Sequence, residues 1–449
     1  MNTLIFLALF SLLGLIYFIL GLRASKKVTT DADYFVAGRQ LGVAQITCNL
    51  IATQLGGGLL LGTAAQAYDL GFYGIFYTVS MGLGFLLLAS GIASRLQQYK
   101  VTTTAQLFEI EYGSSALKQV ASLLSIATLF GILVAQVTGF RSLMAGIGFV
   151  SPFATVPLWL SVVAYTTIGG LRAITINDMV QLCIITVTFG SIFMYTLLNE
   201  PASFFSLSGL AEFQKSFTYK VPSCAALLPT ILMPALFSLI EQDLAQRFFA
   251  SRSRAVATAS AFNAAIFLTI FSVIPVYFGM KAKALALEFP TGGSPLIGFL
   301  STVTNDFFFS LALCAIIAAI ISTADALING ISANITQDFN LGFSTSSNKL
   351  VWSKYVSLAV GVGALGASYF VPRDVIGIMI DSYALSVFCL LVPLLACYYK
   401  KNGTAKSAWA SIVAGLVGFV FFKMVPVPYS ELITLGLSCG AYLIAHRIR

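Results

Sequence analysis

In the stretch "CAIIAAIISTADALING", Ala319, Ser322 and Thr323 fall at i, i+3 and i+4, so they share one helix face. Two hydroxyls beside a carbonyl make neutral oxygen ligands, the kind that replace the hydration shell of a hard monovalent cation. Back-bonding of both hydroxyls to carbonyls one turn earlier is the competing use of the same residues. A second stretch, "ATQLGGGLLLG", sets Gly56, Gly57 and Gly58 in the middle of an apolar run. A helix interrupted there releases backbone C=O and N–H groups, which is tolerable at membrane depth only where they line a cavity or bind something.

Three further groups carry charge inside apolar surroundings. Asp178 lies in "GGLRAITINDMVQLC" with Gln181 one turn on and Arg172 nearby; its depth is shallow, and ion coordination and a structural salt bridge are both open. Asp325 is the second choice for a cation ligand. Arg141, in "VAQVTGFRSLM", is the basic residue well inside a block; it needs an anionic partner, a wet cavity or a route for snorkelling. A solute carboxylate is the most informative partner, with Gln136 helping to hold the same molecule. Glu241, Asp243 and Arg247 stand where their segment approaches the cytoplasm and read as an inner-gate ion network.

The elements that position these residues are membrane helices. Of 449 residues 58% are hydrophobic and 9% charged, and mean hydropathy is +0.90, beyond what a soluble core can hide. Thirteen apolar blocks are expected, at 2–22, 41–66, 71–95, 117–149, 152–170, 173–197, 225–250, 256–279, 302–335, 351–371, 374–398, 406–423 and 428–446. They are apolar on all sides, which excludes a barrel. The first block has no basic segment before it and runs into a basic stop, so it is expected to be a retained helix rather than a signal peptide.

Basic residues crowd alternate joins: Arg23, Lys26, Lys27 and Arg39; Arg95 and Lys100; Arg172; Arg247, Arg252 and Arg254; Lys349, Lys400, Lys401 and Lys406; Arg447 and Arg449. The other joins hold fewer, such as Lys215, Lys220, Lys281, Lys283, Arg373 and Lys423. That asymmetry predicts a multi-pass cell-membrane protein with its N-terminus outside and its C-terminus in the cytoplasm. The net charge of +8 is scattered over joins and forms no nucleic-acid patch.

Seven cysteines without CxxC spacing and one histidine indicate neither a disulfide framework nor a zinc site. No phosphate loop follows the glycines and no nucleophile triad is available, so no enzyme and no cofactor are expected. The joins 198–224 and 280–301 are long enough for a small helix each.

Interrupted helices at matching places point to inverted repeats. The glycine break in 41–66 is matched, five helices later, by "LLPTILMPALF", where Pro229 and Pro234 predict the second break; close packing or a simple kink is the competing use of the same residues. Repeats at 41–197 and 225–398 would then follow a leading helix, 1–22, and precede two accessory helices, 406–446.

Taken together, the motifs resemble those of the sodium:solute symporters, the family of sodium-coupled sugar, proline, pantothenate, choline and sialic-acid transporters. The resemblance rests on "DYFVAGRQLG" at 33–42, "IATQLGGGLLLGTAAQAYDLG", "GGLRAITINDMVQ" at 169–181, "QRFFASRS" at 246–253 and "AAIISTADALINGISANITQDF" at 318–339. It implies an all-α membrane fold with a five-plus-five inverted-repeat core. It implies sodium as coupling ion, on backbone oxygens of Ala52, Leu55 and Ala319 and the hydroxyls of Ser322 and Thr323, with Asp178 supporting that region.

The solute is then expected at Gln54, Gly56, Gly57, Gly58, Gln136 and Arg141. Three glycines after the break disfavour a sugar, and Arg141 favours a small carboxylate-bearing solute: proline or another amino acid, a monocarboxylate, or pantothenate. The implied partners are that solute, the sodium ion and the lipid bilayer, with no obligatory protein partner. Proton coupling through Asp178 or Asp325 is the runner-up, and a channel or a non-transporting sensor on the same fold stays open.

Overall fold

The computed structural model describes residues 2–26, 28–149, 151–200, 221–287, 294–339, 346–371, 374–399 and 403–447. Lys27, Lys215, Lys220, Arg373, Lys400, Lys401 and Arg449, and the helix expected within 198–224, fall outside them. Described residues form helices and no strand; one isolated bridge joins Leu41 to Ser251.

The leading helix α1 (Thr3–Ser25) is apolar on every side and starts on Asn2, whose side chain accepts from the Leu4 amide. A short α2 (Asp31–Val36) follows, with a capping box between Thr30 and Asp33. It ends abruptly because Ala37, Gly38 and Arg39 all have positive φ (47°, 66° and 59°). Next come α3 (Val43–Gln54), α4 (Thr63–Leu70), α5 (Phe76–Leu87), α6 (Ala93–Gln98), α7 (Gln106–Tyr112) and α8 (Ser115–Gly146). Helix α9 (Pro152–Leu198) covers two of the expected blocks and kinks at Gly170, φ 57° and ψ −163°. A Cβ there would stand 2.4 Å from the Tyr34 carbonyl oxygen, so only glycine allows both the kink and the approach of α2.

The second half runs through α10 (Cys224–Phe237), α11 (Gln242–Ala250), α12 (Arg254–Phe271), α13 (Val273–Ala284), α14 (Pro295–Val303), α15 (Asp306–Asp338), α16 (Ser346–Ala367) and α17 (Val375–Tyr398), then α18 (Ala405–Met424) and α19 (Ser430–Arg447). Helix α14 is the small helix expected between 280 and 301, displaced toward residue 303. Among the described residues ten helical stretches are long and apolar enough to cross a membrane, against thirteen expected blocks. The blocks at 152–170 and 428–446 are not among the ten, and the glycine-broken 41–66 is counted only from Gly58, in one stretch that continues to Gln98. In the most apolar window of α15, 83% of residues are buried, against 17% for α1. Helix α15 is therefore axial and α1 peripheral.

The first interruption falls where the glycines predict it. Helix α3 stops at Gln54, Leu55 leaves helical geometry (ψ 34°), and a π-helical turn at Gly58–Gly62 restarts the run into α4. The second falls elsewhere. Pro229 and Pro234 both lie inside the continuous α10, and the chain breaks after them, at Ser238–Glu241, where Glu241 is extended (ψ 123°). The reason is local: the Ser80 hydroxyl inserts between Ile231 and Ala235, donating to the Ile231 carbonyl and accepting from the Ala235 amide, so the ladder is bridged beside Pro234 rather than broken.

Candidate ion and solute site

The axial α15 meets the end of α3. The Ser322 hydroxyl lies 2.8 Å from the Ala52 carbonyl oxygen and 2.9 Å from that of Ala319. The Thr323 hydroxyl lies 2.7 Å from the Thr53 oxygen and 3.2 Å from that of Ala319. The foreseen back-bonding is made, and each hydroxyl also reaches across to α3. Five neutral oxygens converge in a buried spot beside Leu55, a donor set suited to a hard cation if the hydroxyl protons turn outward. Thr53, which contributes only its carbonyl, was not singled out by sequence; a backbone ligand leaves no side-chain signal.

The glycines and Gln136 meet at the same break. The Gly57 amide donates to Gln136 Oε1 at 2.8 Å. A Cβ on Gly56 would stand 2.5 Å from the Thr323 hydroxyl and 2.7 Å from Gln136 Oε1. On Gly58 it would meet Met379 and Tyr77. The Tyr77 and Tyr383 hydroxyls are 3.1 Å apart, and the Tyr383 ring stacks on Phe237, centroids 4.7 Å apart, at the end of α10. Tyr77, Phe237, Met379 and Tyr383 were not foreseen. The Gln54 amide donates to Glu241 Oε2 at 3.2 Å, joining the two breaks directly.

Arg141 is placed elsewhere. Its guanidinium donates to the Ser368 carbonyl at 2.5 Å and lies 3.8 Å over the Tyr369 ring, at the end of α16. Five residues along a helix turn its Cα–Cβ direction roughly 140° from that of Gln136.

Asp178 is enclosed by protein. It is wholly buried, its carboxylate oxygens have no hydrogen-bond partner among the described residues, and its charged neighbours include Arg247 and Asp325. Arg247 is itself fully buried in α11, bonded to the Asn49 side chain of α3 and to the Asp243 carbonyl at 2.5 Å. Asn49 in turn donates to the Thr175 hydroxyl at 2.7 Å. The expected network at the approach to the cytoplasm is thus an interior tie between α11, α3 and α9. Asp325 accepts a hydrogen bond from Thr166 of α9.

The end of the molecule holding Arg39 is latched. Arg39 donates to the carbonyls of Val101 (2.8 Å), Phe249 (3.2 Å) and Tyr99 (3.4 Å). The Gln242 amide oxygen accepts from the Thr104 amide at 2.6 Å, and Asp338 accepts from Thr103 at 2.6 Å and Ser122 at 2.8 Å. The opposite end holds a cavity of about 470 Å³ that reaches the π-helical turn at Leu61 and Gly62. A cavity of about 430 Å³ lies at the Arg39 end too, lined by Ala37, Gln40, Leu41, Gln45 and Arg172 among others.

Two interrupted helices beside an axial helix, with buried oxygens at the first interruption, are a pattern found in secondary transporters. The chain belongs to the sodium:solute symporter family, whose profile matches residues 34–415. It is similar to the human high affinity choline transporter 1, 26% identical over 442 residues, 91% of this chain and 73% of that protein. It is similar also to the uncharacterized symporter YwcA of Bacillus subtilis (strain 168), 21% identical over 95% of this chain and 87% of that protein. Among solved structures, a substrate-bound, outward-open Na+-coupled sialic acid symporter superposes with a TM-score of 0.81 at 17% identity, covering 99% of this chain and 97% of that one. The nucleobase-cation-symport-1 family transporter MHP1 in a closed conformation gives 0.64 at 13% identity, over 94% and 95%. The relatives are transporters, not enzymes.

Proposed function

We propose that the protein couples entry of sodium to uptake of a small organic solute by alternating access, in the cell membrane, with its N-terminus outside and its C-terminus in the cytoplasm. The observation that carries this reading is the convergence of the Ser322 and Thr323 hydroxyls on the Ala52, Thr53 and Ala319 carbonyls at the broken end of α3. Sodium held there, with Leu55 at the break and Asp178 supporting the region from α9, ties α3 to α15. Two bodies that must separate for inward release are thereby held together until the ion leaves. Each inward charge contributes about 2.3 kcal/mol per 100 mV. The repeats at 41–197 and 225–398 are the units that rock.

The solute binds between the two breaks, among Gln54, Gly56, Gly57, Gly58 and Gln136. Bonded to that set through Gln54 is Glu241, with Asp243 beside it and Tyr77 and Tyr383 near it, the latter stacked on Phe237. A compact amino acid fits best: its ammonium group faces Glu241 and the aromatic rings, and its carboxylate takes amides exposed at the break. Similarity to a choline transporter supports the ammonium half. A monocarboxylate or pantothenate would bring a second anion to Glu241 and no ammonium group. Uptake into proteoliposomes of labelled amino acids, choline, carboxylates and sugars, under a sodium gradient and then a proton gradient, tests this. Accumulation of an amino acid with sodium alone supports it; accumulation driven by protons alone overturns the coupling ion.

A further inference from the structure

A second cavity lies between the peripheral α1 and the axial α15, one helical turn from Ser322 and Thr323. Its volume is about 230 Å³, and it is lined by Gly14, Tyr17 and Phe18 of α1, by Cys314, Ala318 and Ile321 of α15, and by neighbours that are apolar except Ser11 and Ser161, the latter already donating to the Leu158 carbonyl. Its rim faces the bilayer, since Phe18 is 42% exposed. Tyr17 contradicts a purely apolar filling. It is 6% exposed, and its hydroxyl has no hydrogen-bond partner among the described residues. A buried hydroxyl with no partner costs about 1–3 kcal/mol, so a ligand supplying an oxygen there is favoured over a bare hydrocarbon chain.

Depth narrows the ligand. Tyr17 stands near the middle of α1, roughly 5 Å from its midpoint at 1.5 Å per residue. The ester groups of bilayer phospholipids lie about 15 Å from the bilayer centre, at the edge of the hydrocarbon, and do not reach that level. We propose that this cavity is a binding site for a neutral, membrane-dissolved amphiphile, an apolar body carrying one hydroxyl or carbonyl oxygen that pairs with Tyr17. It enters laterally from the bilayer past Phe18. The wall it presses on, Ala318 to Ile321, immediately precedes Ser322 and Thr323, so occupancy stiffens the helix that bears them.

Gly14 provides the control, because a Cβ there meets nothing within 4 Å; Gly14→Leu grows into open space. The full chain in lipid nanodiscs is melted with increasing mole fractions of 1-dodecanol or of dodecane. In the wild type the alcohol raises Tm with a half-saturating mole fraction about five-fold below that of the alkane, the ratio equivalent to ~1 kcal/mol for one net hydrogen bond. In Tyr17→Phe the two curves coincide, and Gly14→Leu responds to neither. Coinciding curves in the wild type, or an undiminished alcohol response in Gly14→Leu, overturn the proposal. Neither outcome depends on transport, so this test stands apart from the symport reading.

Discussion

Gln54 closes the last turn of α3 and Glu241 opens the entry to α11, and the 3.2 Å hydrogen bond between them links the two interruptions across the centre of the protein. The bond is buried at both ends, at 7% and 6% exposure. Glu241→Gln keeps an acceptor for Gln54 while removing the charge. A hydrogen bond to a charged group is worth about 1.5–3 kcal/mol, so KM for an ammonium-bearing solute is expected to rise roughly ten- to hundred-fold. The sodium dependence should change less. Measured uptake with unaltered KM would remove Glu241 from the solute site.

Ser322→Ala and Thr323→Ala each delete one hydroxyl from the oxygen cluster on α15. The half-saturating sodium concentration is expected to rise at least ten-fold in either variant, with Thr323→Ser recovering most of the loss because it retains the oxygen. Sodium titration of initial uptake rates checks this. A sodium curve unmoved in both alanine variants places the ion elsewhere.

Gly56→Ala puts a methyl group 2.5 Å from the Thr323 hydroxyl and 2.7 Å from Gln136 Oε1. Overpacking of this kind costs about 1–3 kcal/mol. The variant should reach the membrane yet lose most uptake, since the crowded atoms belong to the proposed ion and solute ligands. Normal uptake by Gly56→Ala would show that the break relaxes without consequence.

Much of this arrangement is legible in the sequence, and its gaps have physical causes. Long apolar blocks follow from the thickness of the bilayer, and the triple glycine marks the first break because three residues without side chains weaken a helix. Pro229 and Pro234 misplace the second break since the sequence carries no sign that Ser80, some 150 residues earlier, bridges the freed ladder. Tyr77, Phe237 and Tyr383 do not stand out among 18 tyrosines and 37 phenylalanines, most of which serve packing or the lipid face. Asp178 has Arg172 near it in sequence, whereas the fold buries it beside Arg247 of a different helix.

Arg39 holds a left-handed backbone conformation, φ 59°, which a non-glycine residue adopts at a cost of about 1–2 kcal/mol. Its three carbonyl partners at Tyr99, Val101 and Phe249 offset that cost and fasten that end of the molecule. Arg39→Ala is expected to lower Tm by several degrees and to speed labelling of a cysteine placed at Thr102. Arg39→Lys should restore little, because one ammonium cannot serve three spread acceptors as a guanidinium fork does. A labelling rate equal to that of the wild type would mean the latch is held by Gln242 and Asp338 without it.

Arg141 distinguishes the two accounts of how the solute is recognised. Held on the Ser368 carbonyl and the Tyr369 ring, it braces α8 against the end of α16. Arg141→Gln should therefore lower Tm, while KM for the proposed amino-acid solute stays within about three-fold of the wild type, less than the ten-fold step that about 1.4 kcal/mol represents. A loss of affinity confined to carboxylate-bearing solutes, with choline uptake or binding unchanged, would return the guanidinium to the solute pathway. In that event Arg141 must leave Ser368 during the cycle, and α8 and α16 separate as the solute enters.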